Sequence, residues 1–279
     1  MEFLLHIIAG ASVGFAIGLT GVGGGSLMTP LLLVFGYPAP VAIGTDLLYA
    51  SITKAGGAFA HHRMGNVDWK IVFTLALGSI PVSILLHMLV LNSQFQDSAQ
   101  FEELLTLSLG LMLIVTAIIL IIRDKMRSNA IEGKPNFLMP VIHRHRSLVT
   151  WVMGALLGVC VTLSSVGAGA FGAAILLTIY SQIPAARIIG TDIAHAVPLT
   201  FIAGIGYLLA GYVNLPLLGS LLIGSLPAIH LGSRLSSQVP ERLLLQILTI
   251  ILLSLGIYYL SLIHISEPTR PLYISYAVF

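Results

Sequence analysis

Long apolar runs alternate with short polar breaks along the whole chain. The runs fall near 3–20, 26–36, 41–60, 71–91 and 104–122, and again near 148–163, 170–182, 188–210, 213–232 and 243–260. Each predicts an apolar helix. The second run of each set is short. At about 1.5 Å per residue, 11 to 13 residues reach roughly 16–20 Å, well under the ~30 Å hydrocarbon core of a bilayer. These two segments are therefore expected to be half-helices, re-entrant segments or parts of broken helices.

Composition sharpens this picture. Of 279 residues, 57% are apolar and 9% charged, with a mean hydropathy of +0.98. A soluble domain carries about 25% charged residues, so this chain has too few to cover a water-facing surface. A net charge of +2 with no dense basic stripe excludes a nucleic-acid binder. The single cysteine, Cys160, excludes a disulfide-stapled fold. The expected fold class is an all-α polytopic membrane protein, in contact with lipid. Its length allows roughly eight to ten crossings of about 20 residues each.

The two ends need separate treatment. Met1 to Gly18 is apolar but contains Glu2 and lacks the basic start of a signal peptide, so it reads as a retained first helix. The run Leu260-Ser-Leu-Ile-His-Ile-Ser-Glu-Pro-Thr-Arg270 departs from the preceding pattern and resembles the translation of an adapter used in sequencing libraries. Ile274-Ser-Tyr-Ala-Val-Phe279 resembles the other end of the same adapter. Residues 260–279 are expected to be non-native, with the natural C-terminus missing. His264, Glu267 and Arg270 are then expected to have no function.

Charge sets an orientation. The segment 123–146 holds Arg123, Lys125, Arg127, Lys134, Arg144 and Arg146, and the excess of basic residues in cytoplasmic loops predicts that it lies inside a plasma or inner membrane. The loop 92–103 carries Asp97, Glu102 and Glu103 and no base, as an outer loop does. Arg63 and Lys70, one crossing earlier, fall inside. Arg187, Arg234 and Arg242 follow if each half makes five crossings and both ends lie outside.

The halves resemble each other. At an offset of 146, Pro38, Ala39 and Gly44-Thr45-Asp46 match Pro184, Ala185 and Gly190-Thr191-Asp192. Gly65, Val67, Gly78, Ser79 and Pro81 match Gly211, Val213, Gly224, Ser225 and Pro227. At an offset of 144, Gly10, Gly14 and Val22-Gly23-Gly24-Gly25 match Gly154, Gly158 and Val166-Gly167-Ala168-Gly169. The ordered set points to a duplication, with repeats over 1–123 and 147–259 joined by the basic loop 124–146. An odd number of crossings per repeat inverts the second copy, a common build in secondary transporters. Their sites lie near the midplane at paired helix breaks.

Two motifs mark such breaks. Gly21-Val-Gly-Gly-Gly-Ser26 and Ser164-Ser-Val-Gly-Ala-Gly169 each precede a short run. Glycines release the backbone from helical geometry, and N–H groups at the start of the following half-helix suit an anion. Small residues also let membrane helices touch, which is the expected role of Gly10, Gly14, Gly18, Gly154 and Gly158. Gly-Thr-Asp, at 44–46 and 190–192, opens the helix after each short run. Thr45 and Thr191 either cap those helices or line the site. Asp46 and Asp192 are expensive in an apolar run, and are candidates for proton coupling or for scaffolding the break.

Other polar residues have two readings each. Lys54, eight residues after Asp46, either snorkels to the inner interface or supplies charge to an anion path. His195, three residues after Asp192 on the same helix face, either pairs with it as a proton relay or is structural. His61, His62, His143 and His145 have weakly metal-like spacing without a Cys or carboxylate cluster, so no metal site is assigned. Gly10-Ala-Ser12-Val-Gly14 fits G-x-S-x-G, but a hydrolase elbow needs a strand–turn–helix that an apolar helix does not provide. An intramembrane serine protease pairing Ser12 with His195 is the alternative from another class. Ser12 aligns with Leu156, so duplication does not explain it.

At these motifs the chain resembles the sulfite exporter TauE/SafE family, within the toluenesulfonate uptake permease superfamily. The resemblance rests on Gly21-Val-Gly-Gly-Gly-Ser-Leu-Met-Thr-Pro30, Ala42-Ile-Gly-Thr-Asp46 and Ile189-Gly-Thr-Asp192, and covers the chain to about Tyr259. It implies a permease that moves sulfur-containing anions such as sulfite or organosulfonates. Ala168 and Phe171 weaken the second glycine motif. The expectation is a non-enzymatic secondary transporter for small anions, with a passive channel as the nearest alternative. Thr20, Gly23, Gly24, Gly25, Ser26, Thr45, Ser164, Ser165, Gly167, Gly169 and Thr191 are the expected substrate contacts. Asp46, Asp192, Lys54 and His195 are expected to couple or scaffold. No nucleotide motif is present, so no cofactor is expected and an ion gradient or the anion's own gradient must drive transport. Self-association is left open.

Overall fold

The computed structural model describes residues 2–20, 25–90, 99–131, 145–180, 182–235 and 241–266. Among them the chain forms ten helices and no strand. The first five are α1 Glu2–Thr20, α2 Gly25–Val34, α3 Ala39–Arg63, α4 Trp69–Val90 and α5 Ala99–Ile131. The others are α6 Arg146–Ser164, α7 Ala170–Ile179, α8 Ala185–Leu209, α9 Leu215–Leu235 and α10 Glu241–Ser266. Every apolar run has its helix. Six of them, α1, α4, α5, α6, α8 and α9, are long and apolar enough to cross a bilayer. Large apolar side chains such as Phe73, Leu77, Ile223 and Ile250 are exposed, as lipid-facing positions are.

The helix ends follow local chemistry. Pro38 and Pro184 are the N-cap residues of α3 and α8, with the extended, non-helical backbone that position adopts. Gly65 and Gly211 stop the same helices with φ of +71° and +82°, a region an L side chain rarely adopts. α5 is longer than its apolar run. It continues to Ile131, into the basic segment expected as a loop, because Arg, Lys and Met sustain a helix beyond an apolar core. The rest of that loop, residues 132–144, lies outside the described residues. α10 likewise runs on to Ser266, and Leu260 packs near Gly110.

α2 and α7 are ten residues each, about 15 Å of helix. The remaining helices pack in pairs: α1 on α9, α6 on α4, α3 on α8 and α5 on α10. Exchanging the two halves of the chain maps each pair onto a pair. Small residues set the closest approaches. Gly10 and Gly14 of α1 meet Leu221 and Ser225 of α9, and Gly154 and Gly158 of α6 meet Leu75 and Ser79 of α4. Gly18 meets Ile229 in the same way. The expected packing role of these five glycines is therefore observed. Between the pairs lies an apolar core that includes Ile43, Leu47, Leu105, Leu109, Leu157, Leu199 and Leu252.

Candidate functional site

Charge enters the core where α3 and α8 pack. Asp46 and Lys54 on α3, and Asp192 and His195 on α8, are all buried. Isolated charges in such a place are expensive unless paired, and here they gather. Both carboxylates act electrostatically on Lys54. Its ammonium donates to the Ala168 carbonyl at 3.0 Å, so it reaches from the first half of the chain into the glycine-rich segment of the second. Lys54 is thus buried inside the protein and not extended to its surface.

That segment is a true break. α6 ends at Ser164, and Ser165 adopts φ +58°. Gly167 and Gly169 take φ of +125° and +133°, and α7 begins at Ala170. A continuous helix would consume the Ala168 carbonyl internally; the break leaves it for Lys54. Asp192 faces the Gly169 N–H, and a Cβ on Gly172 would collide with Asp192 Oδ1. The carboxylate thus lies against the first turn of α7, where N–H groups carry partial positive charge. Asp46 is held from α2 by a side chain: the Thr29 hydroxyl, beyond the first turn of that helix, donates to Asp46 Oδ2. Ser165 lies beside the same carboxylate, so both halves contribute to its surroundings.

The other expected site residues divide. Ser164 is spent on the break, donating to Cys160 O at 2.7 Å and accepting from Val166 N–H at 3.2 Å. Thr45 and Thr191 do not turn their hydroxyls to the charged cluster. Thr45 Oγ1 accepts from Asn214 N–H at 3.3 Å and Thr191 Oγ1 from Asp68 N–H at 2.9 Å, each tying a helix to the loop of the opposite half. Thr20 donates to Ala16 O within α1. Gly25 and Ser26 open α2. Gly23 and Gly24 lie outside the described residues.

His195 has a different partner from the one its spacing suggests. Its Nε2 shares a hydrogen bond of 2.8 Å with Ser79 Oγ on α4, not with Asp192. Position 195 corresponds to Tyr49 in the first half, and Ser79 to Ser225. Tyr49 indeed faces Ser225. Thr29, Ser79, Tyr49 and Ser225 are buried polar residues that sequence reasoning did not select for the site. Ser79 and Ser225 were visible among the repeat matches, and Thr29 within the resembling motif.

Several buried polar atoms at this centre have no hydrogen-bond partner: Asp46 Oδ1, Asp192 Oδ1, Ser165 Oγ and His195 Nδ1. Buried polar groups are normally satisfied, and exceptions mark unfilled or switching sites. Two acids, one ammonium and a set of donors at a helix break can exchange protons and hold a small ion. The protease constellation is not assembled. Ser12 is exposed on α1 and donates to its own helix at Ile8 O, whereas His195 is buried against Ser79.

Comparisons with known proteins agree with this architecture. The family model described as "Sulfite exporter TauE/SafE" matches residues 6–259. A Bacillus subtilis protein named "Probable membrane transporter protein YjnA" is 38% identical over 90% of this chain and 97% of its own length. A Methanocaldococcus jannaschii protein named "Probable membrane transporter protein MJ0441" is 29% identical over 93% of this chain and 97% of its own length. A third relative, YdhB of Bacillus subtilis, is 26% identical over 85% of this chain and 92% of its own. No solved structure matches the chain.

Proposed function

Since the chain belongs to the sulfite exporter TauE/SafE family of membrane transporters, we propose that it is a secondary transporter for small sulfur-containing anions, such as sulfite or organosulfonates, coupled to an ion gradient. One observation carries this reading. Lys54, Asp46 and Asp192 are enclosed together, with Asp192 at the start of α7 and Asp46 bonded by Thr29 midway along α2, two ten-residue helices. A passive channel has no use for a closed set of titratable groups; a carrier that couples ions has.

The two halves act as inverted repeats that rock about the α3–α8 contact and open the site to each side in turn. The reciprocal pairing of α1 with α9 and α6 with α4 supports this. The basic segment 123–146 faces the cytoplasm of a plasma or inner membrane. Lys54 and the N–H groups at Gly169 supply positive charge to the anion, with Ser165 as a further donor. Asp46 and Asp192 supply coupling or scaffold.

The test is flux in proteoliposomes of the chain cut after Tyr259, loaded with sulfite or an organosulfonate. Saturable flux that moves protons and is lost in Asp46→Asn supports a coupled carrier. Unsaturated flux without proton movement makes the protein a channel. No flux from folded protein overturns the sulfur-anion assignment.

A further inference from the structure

We propose that the site accepts monoanions, each accompanied by one proton that Asp192 holds, so that a transport cycle moves no net charge. This rests on the transporter reading and deepens it by naming the charge class of the cargo.

The argument is a count of enclosed charge. Asp46, Asp192 and Lys54 are buried and sum to −1 when ionised. Asp192 lies against the first turn of α7, whose start supplies roughly half a positive charge, whereas Asp46 is bonded from Thr29, beyond the first turn of α2. The empty site therefore has no net positive charge to offer an anion. A monoanion entering alone leaves one uncompensated negative charge in a low-dielectric interior, a state that proteins avoid by protonation or pairing. One proton on one carboxylate restores the count. A dianion needs protons on both.

Geometry selects Asp192. It faces the Gly169 N–H, next to Ala168, whose carbonyl anchors Lys54. Protonation of Asp192 weakens its hold on that N–H at the place where the ammonium waits, so proton and anion arrive at one point. Asp192 Oδ1 is buried and unpartnered, open to the proton. Asp46 is engaged differently: Thr29 donates to it from α2, and the repeat equivalent of Thr29 beside Asp192 is Ala173.

The other groups around the pair do not change the count. On α3 these are Tyr49 and, against Gly190, His61. On α8, His195 is counted as neutral in its bond to Ser79 of α4, and Tyr207 donates to Thr162 O. α4 adds His87, edge-on to Tyr207 at 5.3 Å. α6 adds Cys160 near Gly167. α2 and α7 carry no titratable side chain, and α9 brings Ser225.

The experiment uses the full chain in proteoliposomes with methanesulfonate, a monoanion at every working pH, and sulfate, a dianion. Internal pH and the response to an imposed potassium–valinomycin potential are recorded together. Expected are one proton per methanesulfonate, a rate that the potential does not alter, and sulfate flux at least tenfold slower. Asp192→Asn, shown to be folded by its melting curve, is expected to lose proton movement. Asp192→Glu is expected to keep it. Flux driven by the potential, sulfate moving as fast as methanesulfonate, or proton movement surviving in Asp192→Asn each overturns the inference while leaving a transporter. No flux of either anion from folded protein overturns the sulfur-anion reading, and the inference with it.

Discussion

Lys54 crosses from one half of the chain to the other to donate to the Ala168 carbonyl, 3.0 Å away. The ammonium is the only positive charge in contact with this centre among the described residues, and two buried carboxylates depend on it. Removing one partner from a buried set of charges destabilises by about 3–5 kcal/mol, because the others stay buried and uncompensated. Lys54→Met is expected to lower the melting temperature in detergent and abolish flux. Lys54→Met combined with Asp192→Asn is expected to melt higher than Lys54→Met alone, since it removes one of the stranded charges. A double mutant that melts lower by the full sum of the singles shows that the residues are not coupled.

The helix pairs α1–α9 and α6–α4 give a second expectation. A Cβ at Gly14 lies 2.6 Å from Ser225 Cα and Ser225 O, and one at Gly158 lies 2.5 Å from Ser79 O. These obstacles are backbone, which cannot rotate away. Gly14→Ala and Gly158→Ala are each expected to destabilise by about 1–3 kcal/mol. Gly56→Ala is the control: nothing lies within 4 Å of its Cβ, and alanine favours a helix by up to about 1 kcal/mol. Melting curves of the three variants decide it. Equal losses in all three refute close packing as the cause.

The ten helices were legible because each apolar run, long or short, is set off by polar breaks, and Pro38, Pro184, Gly65 and Gly211 bound α3 and α8. The break after Ser164 was legible because Gly167 and Gly169 have no helical reason to cluster. Partners were not legible. Helical periodicity places His195 on the face of Asp192, but the neighbouring helix supplies Ser79, and no pattern within α8 encodes α4. Thr45 and Thr191 adjoin the two aspartates in sequence, yet a 100° turn per residue aims their hydroxyls at Asn214 and Asp68. Lys54 has four side-chain carbons of reach, so its position on α3 leaves its destination open.

Thr29 supplies a third expectation. Its hydroxyl holds Asp46 to α2, and the residue carries Pro30 directly after it in the same short helix. Thr29→Val keeps the shape and removes the side-chain donor to Asp46 Oδ2. The expected loss is about 1–3 kcal/mol of stability, the penalty of a buried acceptor without its partner. Thr29→Ser, which keeps the hydroxyl, is expected to restore both melting temperature and flux. If Thr29→Val and Thr29→Ser behave alike, packing of the methyl group matters and the hydrogen bond does not.

The loop ties distinguish scaffold from substrate contact. Thr191 accepts from Asp68 N–H at 2.9 Å and Thr45 accepts from Asn214 N–H at 3.3 Å, the same contact made once by each half. Arg187 adds an ion pair to Asp68 at 3.4 Å, but both groups are exposed enough to water that such a pair contributes at most about 1 kcal/mol. Thr191→Val therefore removes the stronger constraint on the α3–α4 turn, and Arg187→Gln the weaker. If these threonines are scaffold, Thr191→Val lowers stability by about 1 kcal/mol, as loss of a single hydrogen bond does, with the half-saturating anion concentration unchanged. If Thr191 instead touches the anion, that concentration rises severalfold in Thr191→Val at constant melting temperature. Concentration-dependent flux beside a melting curve separates the two, and the geometry of the Asp68 N–H favours the first.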